Sequence, residues 1–267
     1  MKNLSFLNQD RLEMVRDAGG EKLLHKEIET KTDTSTRAYR YAIYYVPEED
    51  SSVFETGNRW LGRDVRTNAI LQPDLPEDIN YDEWTKFTAN PRRYGFHATL
   101  KPPFKLALEK TPQELRTRLK EITSHQKSFF ISGFSVGRIS SFLALLINPI
   151  GKDFPELAGK CVADFDDFRL PPTIGEIEAR RHDGLTLQEQ RNLEHWGYPY
   201  VLDTWKFHMT LTSSLQPVTG YTFQQHVTAR FANHCNKRLP IESICLFEEI
   251  EAGSPFRLVE RFPLGKP

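Results

Sequence analysis

Residues 96–101, Phe-His-Ala-Thr-Leu-Lys, and residues 207–212, Phe-His-Met-Thr-Leu-Thr, are the stretches on which the fold of this chain is read. Each carries the tetrad H-x-T-L, as His97-Ala98-Thr99-Leu100 and His208-Met209-Thr210-Leu211. Side chains on a strand alternate between faces, so residues two apart share one. As strands, the stretches send Phe96, Ala98 and Leu100, and Phe207, Met209 and Leu211, to an apolar back. His97, Thr99 and Lys101, and His208, Thr210 and Thr212, form the fronts. Two core strands with chemically matched faces are the expectation. A looser match, His226-Val227-Thr228, sits where Phe223, Val227 and Phe231 recur at helical spacing, so its histidine and threonine diverge.

Outward from these tetrads, the chain alternates strand and helix signals. Tyr39–Val46 is aromatic and β-branched, a strand closed by Pro47. A helix is expected over 52–61, and a short one near 81–88 inside a proline-rich excursion. A strand follows over 94–101, stopped by Pro102-Pro103. Thr111-Pro112-Gln113-Glu114 and Thr186-Leu187-Gln188-Glu189 are capping boxes that open helices, the second ending at Gly197. Strands are expected over 129–139, 142–147, 202–212, 241–250 and 256–262, and helices over 154–168 and 223–236. Strands that follow one another through short links indicate α+β with antiparallel sheet. Residues 1–36 are polar and lack strand signals, and read as a helical or partly disordered extension before a domain over 37–267.

Composition bounds the function. The 267 residues are 39% hydrophobic and 27% charged, with a net charge of −1. That balance argues against long nucleic acid as a partner. It leaves room for a basic cleft that takes a small phosphorylated sugar or nucleotide. The three cysteines, Cys161, Cys235 and Cys245, form no C-x-x-C pair, and no disulfide partner is expected, which fits a cytoplasmic setting. No apolar run is long enough for a membrane span, and the N-terminus has no secretory apolar segment. There is no H-E-x-x-H or H-x-H, so neither a catalytic metal nor another cofactor is expected.

The paired histidines suit phosphate ester chemistry. A histidine can act as acid or base near neutral pH. In-line displacement places attacking and leaving oxygens on opposite sides of phosphorus, so the acid and base must flank it. Thr99 and Thr210, on the same faces, can donate to the non-bridging oxygens where charge develops. The expected catalytic residues are His97, Thr99, His208 and Thr210. Expected substrate contacts are Lys101, on the His97 face, Arg93 before the first tetrad strand, Tyr41 for stacking on a sugar or base, and Tyr200 in a loop wall near the second tetrad.

Tyr94-Gly95-Phe96-His97-Ala98-Thr99-Leu100-Lys101-Pro102-Pro103-Phe104 and Phe207-His208-Met209-Thr210-Leu211-Thr212 resemble the two signatures of the two-histidine (2H) phosphoesterase superfamily, and most nearly its phosphonate-metabolism branch. Arg40–Tyr45, Trp60–Asp64, Trp196–Tyr200 and Pro255–Leu258 are similar to that branch as well. The resemblance begins near residue 38. It implies a bilobal, pseudo-two-fold fold, two mainly antiparallel sheets with flanking helices around a central cleft. It further implies a hydrolase, a metal-independent cyclic phosphodiesterase acting on a small ribose cyclic phosphate of phosphonate catabolism. Two alternatives stand beside it: an enzyme of RNA 2′,3′-cyclic ends, hydrolytic or ligating, and a non-catalytic phosphate-ligand binder.

Overall fold

The structure, a computed structural model, describes residues 37–75, 77, 79–182 and 184–266. The expected extension over 1–36 lies outside the described residues. Seven strands form one antiparallel sheet. In spatial order they are β4 (Ser135–Ile139), β5 (Phe142–Leu146), β6 (Met209–Thr210), β2 (Ala98–Phe104), β1 (Arg40–Tyr45), β8 (Ser243–Glu249) and β9 (Arg257–Pro263). A second sheet pairs β3 (Phe129–Ile131) with β7 (Leu239–Ile241). The large sheet narrows at its centre, where β2 and β6 are joined through the single pair Ala98 and Met209. On one side lie four strands drawn from the two ends of the described chain, and on the other three from its middle. Each half contributes one tetrad, and the two tetrads are hydrogen-bonded neighbours at the seam.

One face of the sheet is covered by α3 (Pro112–His125), α4 (Asp153–Ala163) and α7 (Pro217–Phe231). Ile43, Tyr45, Leu100, Leu145, Met209 and Leu246 are buried under Leu119, Phe154, Leu157 and Val227. Each such side chain contributes about 2 kcal/mol on leaving water. β1 is buried on both faces, because Ala42, Tyr44 and Val46 also pack with Phe54, Phe247 and Phe256 on the opposite side. That second cluster is the floor beside which the histidines stand.

Local signals place most helices as expected. α1 (Ser52–Leu61) starts on the Ser51 cap and stops at Gly62. α3 and α6 (Leu187–Trp196) open on the Thr111 and Thr186 capping boxes, and Gly197 ends the second at φ 73°. The same signal at Thr173 and Glu176 opens the five-residue α5 (Ile174–Glu178). His226 lies on α7, as its surroundings predict.

Among the elements that differ from expectation, the run over 129–139 is split between the two sheets as β3 and β4, and the helices expected over 154–168 and 223–236 are α4 and α7. Three others differ, each for a physical reason. The helix expected near 81–88 is α2 (Tyr81–Tyr94), which runs on through Pro91. Proline cannot donate to the carbonyl four residues back. That carbonyl, Phe87 O, instead accepts from Ser213 N in the loop after the second tetrad. β2 begins at Ala98 and continues through Pro102-Pro103, which were expected to stop it. β6 covers only Ala98, so β2 has a free edge beyond it, and on its other side the pairing with β1 slips between Tyr41 and Ile43, opposite the two prolines. A free edge and a bulge are where a missing N–H costs least. The strand expected over 202–212 shrinks to Met209–Thr210. Asn192 Nδ2 donates to Pro199 O, Val201 O and Thr204 Oγ1, which ties 199–204 into a turn instead. Among the described residues no helix is long and apolar enough to cross a membrane.

Candidate active site

His97 is set by the way α2 ends. Arg63 donates to Arg92 O and Arg93 O, satisfying carbonyls of the last turn. Gly95 then turns the chain at φ 85°, where a Cβ would lie 2.2 Å from Val65 Cγ1, so only glycine fits. The Gly95 carbonyl accepts a hydrogen bond from His97 Nδ1 at 2.8 Å. The second tetrad repeats this device without the glycine: His208 Nδ1 donates to Lys206 O, also at 2.8 Å. In both copies the ring is therefore clamped through Nδ1 to the carbonyl two residues before it. The neutral tautomer this selects leaves the Nε2 lone pair free.

Register brings the copies together. With Ala98 paired to Met209 in an antiparallel ladder, the adjoining positions set His97 opposite Thr210 and Thr99 opposite His208. Each imidazole faces the threonine of the other tetrad, about a local two-fold through the seam. Thr99 Oγ1 lies 3.2 Å from His97 Nε2. All four side chains line one cleft, about 790 Å³ of space partly open to solvent. Trp205 locks the copies further, its indole N–H donating to Thr99 O at 2.7 Å.

The His97 ring stacks on Tyr44, centroids 3.7 Å apart and planes 25° from parallel, with Tyr94 and Phe247 beyond. His208 has Phe142 at 5.9 Å. This apolar setting disfavours the charged imidazolium. Burial, reinforced by His208 and Arg63 and opposed by the Gly95 carbonyl, pushes His97 down to about 3. Burial also lowers His208, against the pull of Lys206 O. Before substrate binds, the cleft thus holds two neutral imidazoles at neutral pH.

A stability consequence follows from that shift. An unfolded histidine takes its proton near pH 6.5, whereas folded His97 does not until about 3. Between those values the unfolded chain binds more protons, so stability falls as pH falls. Urea unfolding from pH 6.5 to 5 should lose up to about 1.4 kcal/mol per pH unit from this group. His97→Gln should flatten that slope, and an unchanged slope in the variant would show that His97 titrates normally.

The four expected substrate contacts lie elsewhere. Lys101 was expected on the His97 face, but β2 carries a bulge: Tyr44 pairs with Thr99 while Ile43 pairs with Lys101. The extra residue inverts the alternation. Lys101 is 3% exposed on the opposite side, its Nζ donating to Val162 O in the last turn of α4. A cation there complements the helix C-terminus, and burial lowers its pKa to about 8. Tyr41 is a core residue against Phe104, its hydroxyl accepting from Ala38 N. The face it was expected to occupy belongs to Tyr44, an odd number of residues away. Arg93 is tied to the buried carboxylate of Glu249, which Arg40 also binds. Burial pulls Glu249 upward, but the two guanidiniums outweigh it and hold the carboxyl below its usual range. Tyr200 is 39% exposed, with its hydroxyl 3.1 Å from His182 Nε2. Tyr198, two residues earlier, lines the cleft in its place. Arg40, Tyr94 and Arg180 complete the wall. The sequence reading assigns none of the three a substrate contact, since nothing at their positions distinguishes a cleft face from a surface one.

Among the described residues no group of three or more His, Cys, Asp or Glu side chains is placed to hold a metal ion. All three cysteines are free thiols.

The family model described as "Protein of unknown function (DUF1045)" matches residues 99–257. A protein named ribose 1,5-bisphosphate phosphokinase PhnN from Janthinobacterium sp. (strain Marseille) is 33% identical over 234 residues, 85% of this chain and 51% of that protein. Its namesake from Laribacter hongkongensis (strain HLHK9) is 30% identical over 219 residues, 82% of this chain and 50% of the relative. The chain thus spans about half the length of the curated relatives it matches. Among solved structures, E. coli LigT complexed with phosphate is similar at a TM-score of 0.40 and 13% identity, over 86% of this chain and 99% of that one. TT0787 of Thermus thermophilus is similar at 0.41 and 13%, over 85% and 98%.

Proposed function

The chain belongs to the DUF1045 family, and we propose that it is a metal-independent two-histidine phosphoesterase that opens a cyclic phosphodiester on a small ribose phosphate. The observation that carries the reading is the pair of Nδ1-clamped imidazoles, each opposite the other tetrad's threonine at one cleft. One Nε2 accepts the proton of a water whose oxygen attacks phosphorus. The ring P–O bond breaks, and the leaving oxygen takes a proton from the other Nε2. Thr99 and Thr210 donate to the non-bridging oxygens as their charge grows. Both histidines are neutral before substrate binds, so the acid must be charged in the complex. The anionic substrate favours that protonation by its own negative charge. Tyr44, stacked under His97, keeps that ring from turning away.

A ribose phosphate and a place in phosphonate catabolism draw support from the resemblance of the tetrads and from the relatives named for a ribose bisphosphate. The kinase part of that name does not carry over. No G-x-x-x-x-G-K-[ST] run, the loop that cradles a nucleoside triphosphate, occurs in this sequence.

The test is to offer ribose 1,2-cyclic phosphate, a 2′,3′-cyclic mononucleotide and RNA with a 2′,3′-cyclic end, following phosphomonoester by ³¹P NMR with and without EDTA. Opening of the ribose cyclic phosphate at a rate indifferent to EDTA is expected. No opening of any substrate, or a loss in EDTA restored by one divalent cation, would overturn the mechanism.

A further inference from the structure

Tyr44 and Tyr94 line the histidine cleft beside His97, and neither hydroxyl has a hydrogen-bond partner among the described residues. We propose that these two tyrosines determine specificity in the cleft, their hydroxyls holding the free sugar hydroxyl next to the cyclic phosphate. The proposal rests on the cyclic phosphodiesterase reading above and adds which part of the sugar is read, and by which residues.

Register places Tyr44 next to the reacting phosphate. It pairs with Thr99 across β1 and β2, and directly opposed residues of two antiparallel strands hold their side chains side by side on one face. A phosphate held by Thr99 therefore brings the sugar carbons beside phosphorus to Tyr44. The rings of both tyrosines are taken up within the fold. Tyr44 lies against His97 at 3.7 Å, Phe247 at 4.9 Å and Phe256 at 6.3 Å between centroids. Tyr94 stacks on Phe256 at 5.2 Å with planes 21° from parallel, and the Arg93 guanidinium lies over it at 5.4 Å. A nucleobase binds an aromatic residue through an open face. These two offer a ligand their hydroxyl ends instead. Tyr44 is 1% exposed, and a phenol buried to that extent ordinarily pairs its hydroxyl. Burial raises its pKa well above the ordinary phenol range, so it keeps its proton, and Tyr94, Tyr198 and Arg40, which act on the same oxygen, line the cleft as well. A phenol hydroxyl both donates and accepts, as a sugar hydroxyl does, whereas the non-bridging oxygens of a phosphate only accept.

The experiment sets ribose 1,2-cyclic phosphate against its 3-deoxy analogue in the wild type, Tyr44→Phe, Tyr94→Phe and the double variant. Phenylalanine keeps each ring and removes only the hydroxyl. The wild type should favour the hydroxylated substrate by about 10- to 100-fold in kcat/KM, because the analogue leaves buried hydroxyls unpaired. Each single variant should narrow that ratio and the double variant should bring it close to one. A merely structural role would slow both substrates alike and leave the ratio where it was. Equal turnover of the two by the wild type, or a ratio that survives in the double variant, would overturn the contact and leave the phosphodiesterase reading standing. If neither substrate is opened, that reading fails, and binding by calorimetry decides the contact on its own. The wild type should then bind the hydroxylated compound about 10- to 100-fold more tightly, and the double variant should bind the two alike. Equal binding by the wild type, or no binding of either compound, would sink the proposal.

Discussion

Replacing His97 or His208 by alanine is expected to lower kcat on a cyclic phosphate by about 100- to 10,000-fold, the range for losing a positioned general acid or base. Replacing both should cost far less than the product of the two losses, because acid and base act on one displacement as a unit. The pH dependence should change as well. Productive encounter requires one neutral and one protonated imidazole, and both titrate below the ordinary histidine range before substrate binds. Wild-type kcat/KM should therefore fall as pH rises through neutrality, approaching tenfold per unit; the alanine variant that lacks the acid should lose that limb, and the one that lacks the base should keep it. Steady-state rates from pH 5 to 9 decide it. A variant that keeps both its rate and its pH profile would remove that histidine from the mechanism.

Thr99→Ala and Thr210→Ala should each lower kcat by about 10- to 1,000-fold with little change in KM, the signature of a donor that serves developing charge. The Thr99 hydroxyl sits 3.2 Å from His97 Nε2, and Thr210 stands opposite His97 in register. Either can reach an oxygen held between the rings. Serine keeps the hydroxyl and should restore most of the rate, whereas valine keeps the shape and should not. Wild-type turnover in both alanine variants, or equal rates for serine and valine, would refute the role.

Much of this site is legible before folding. The two tetrads, the apolar back of each strand and the helical setting of His226 all follow from local periodicity, and the structure places His97, Thr99, His208 and Thr210 on one cleft. The contacts around them are not legible. Lys101 obeys strict alternation in the sequence, and a single bulged residue in β2 sends it to the end of α4. Tyr41 and Tyr44 belong to one aromatic strand, and only the neighbours on each face distinguish them. Tyr198 and Tyr200 share a turn whose path depends on the Asn192 hydrogen bonds. Arg180 has no sequence signal that separates it from Arg181, whose partner is Glu194.

By itself the sequence determined the α+β class, most helix ends, and which two strands carry matched histidines. Those features depend on capping, on glycine and on periods of two or about 3.6, all set within a few residues. The tertiary structure decided that the tetrads are adjacent strands of one sheet, that each histidine faces the other's threonine, and that Tyr44 lies under the ring. Register, bulges and the choice of strand neighbours are settled by packing between distant segments, and a one-residue slip in any of them exchanges one face for the other.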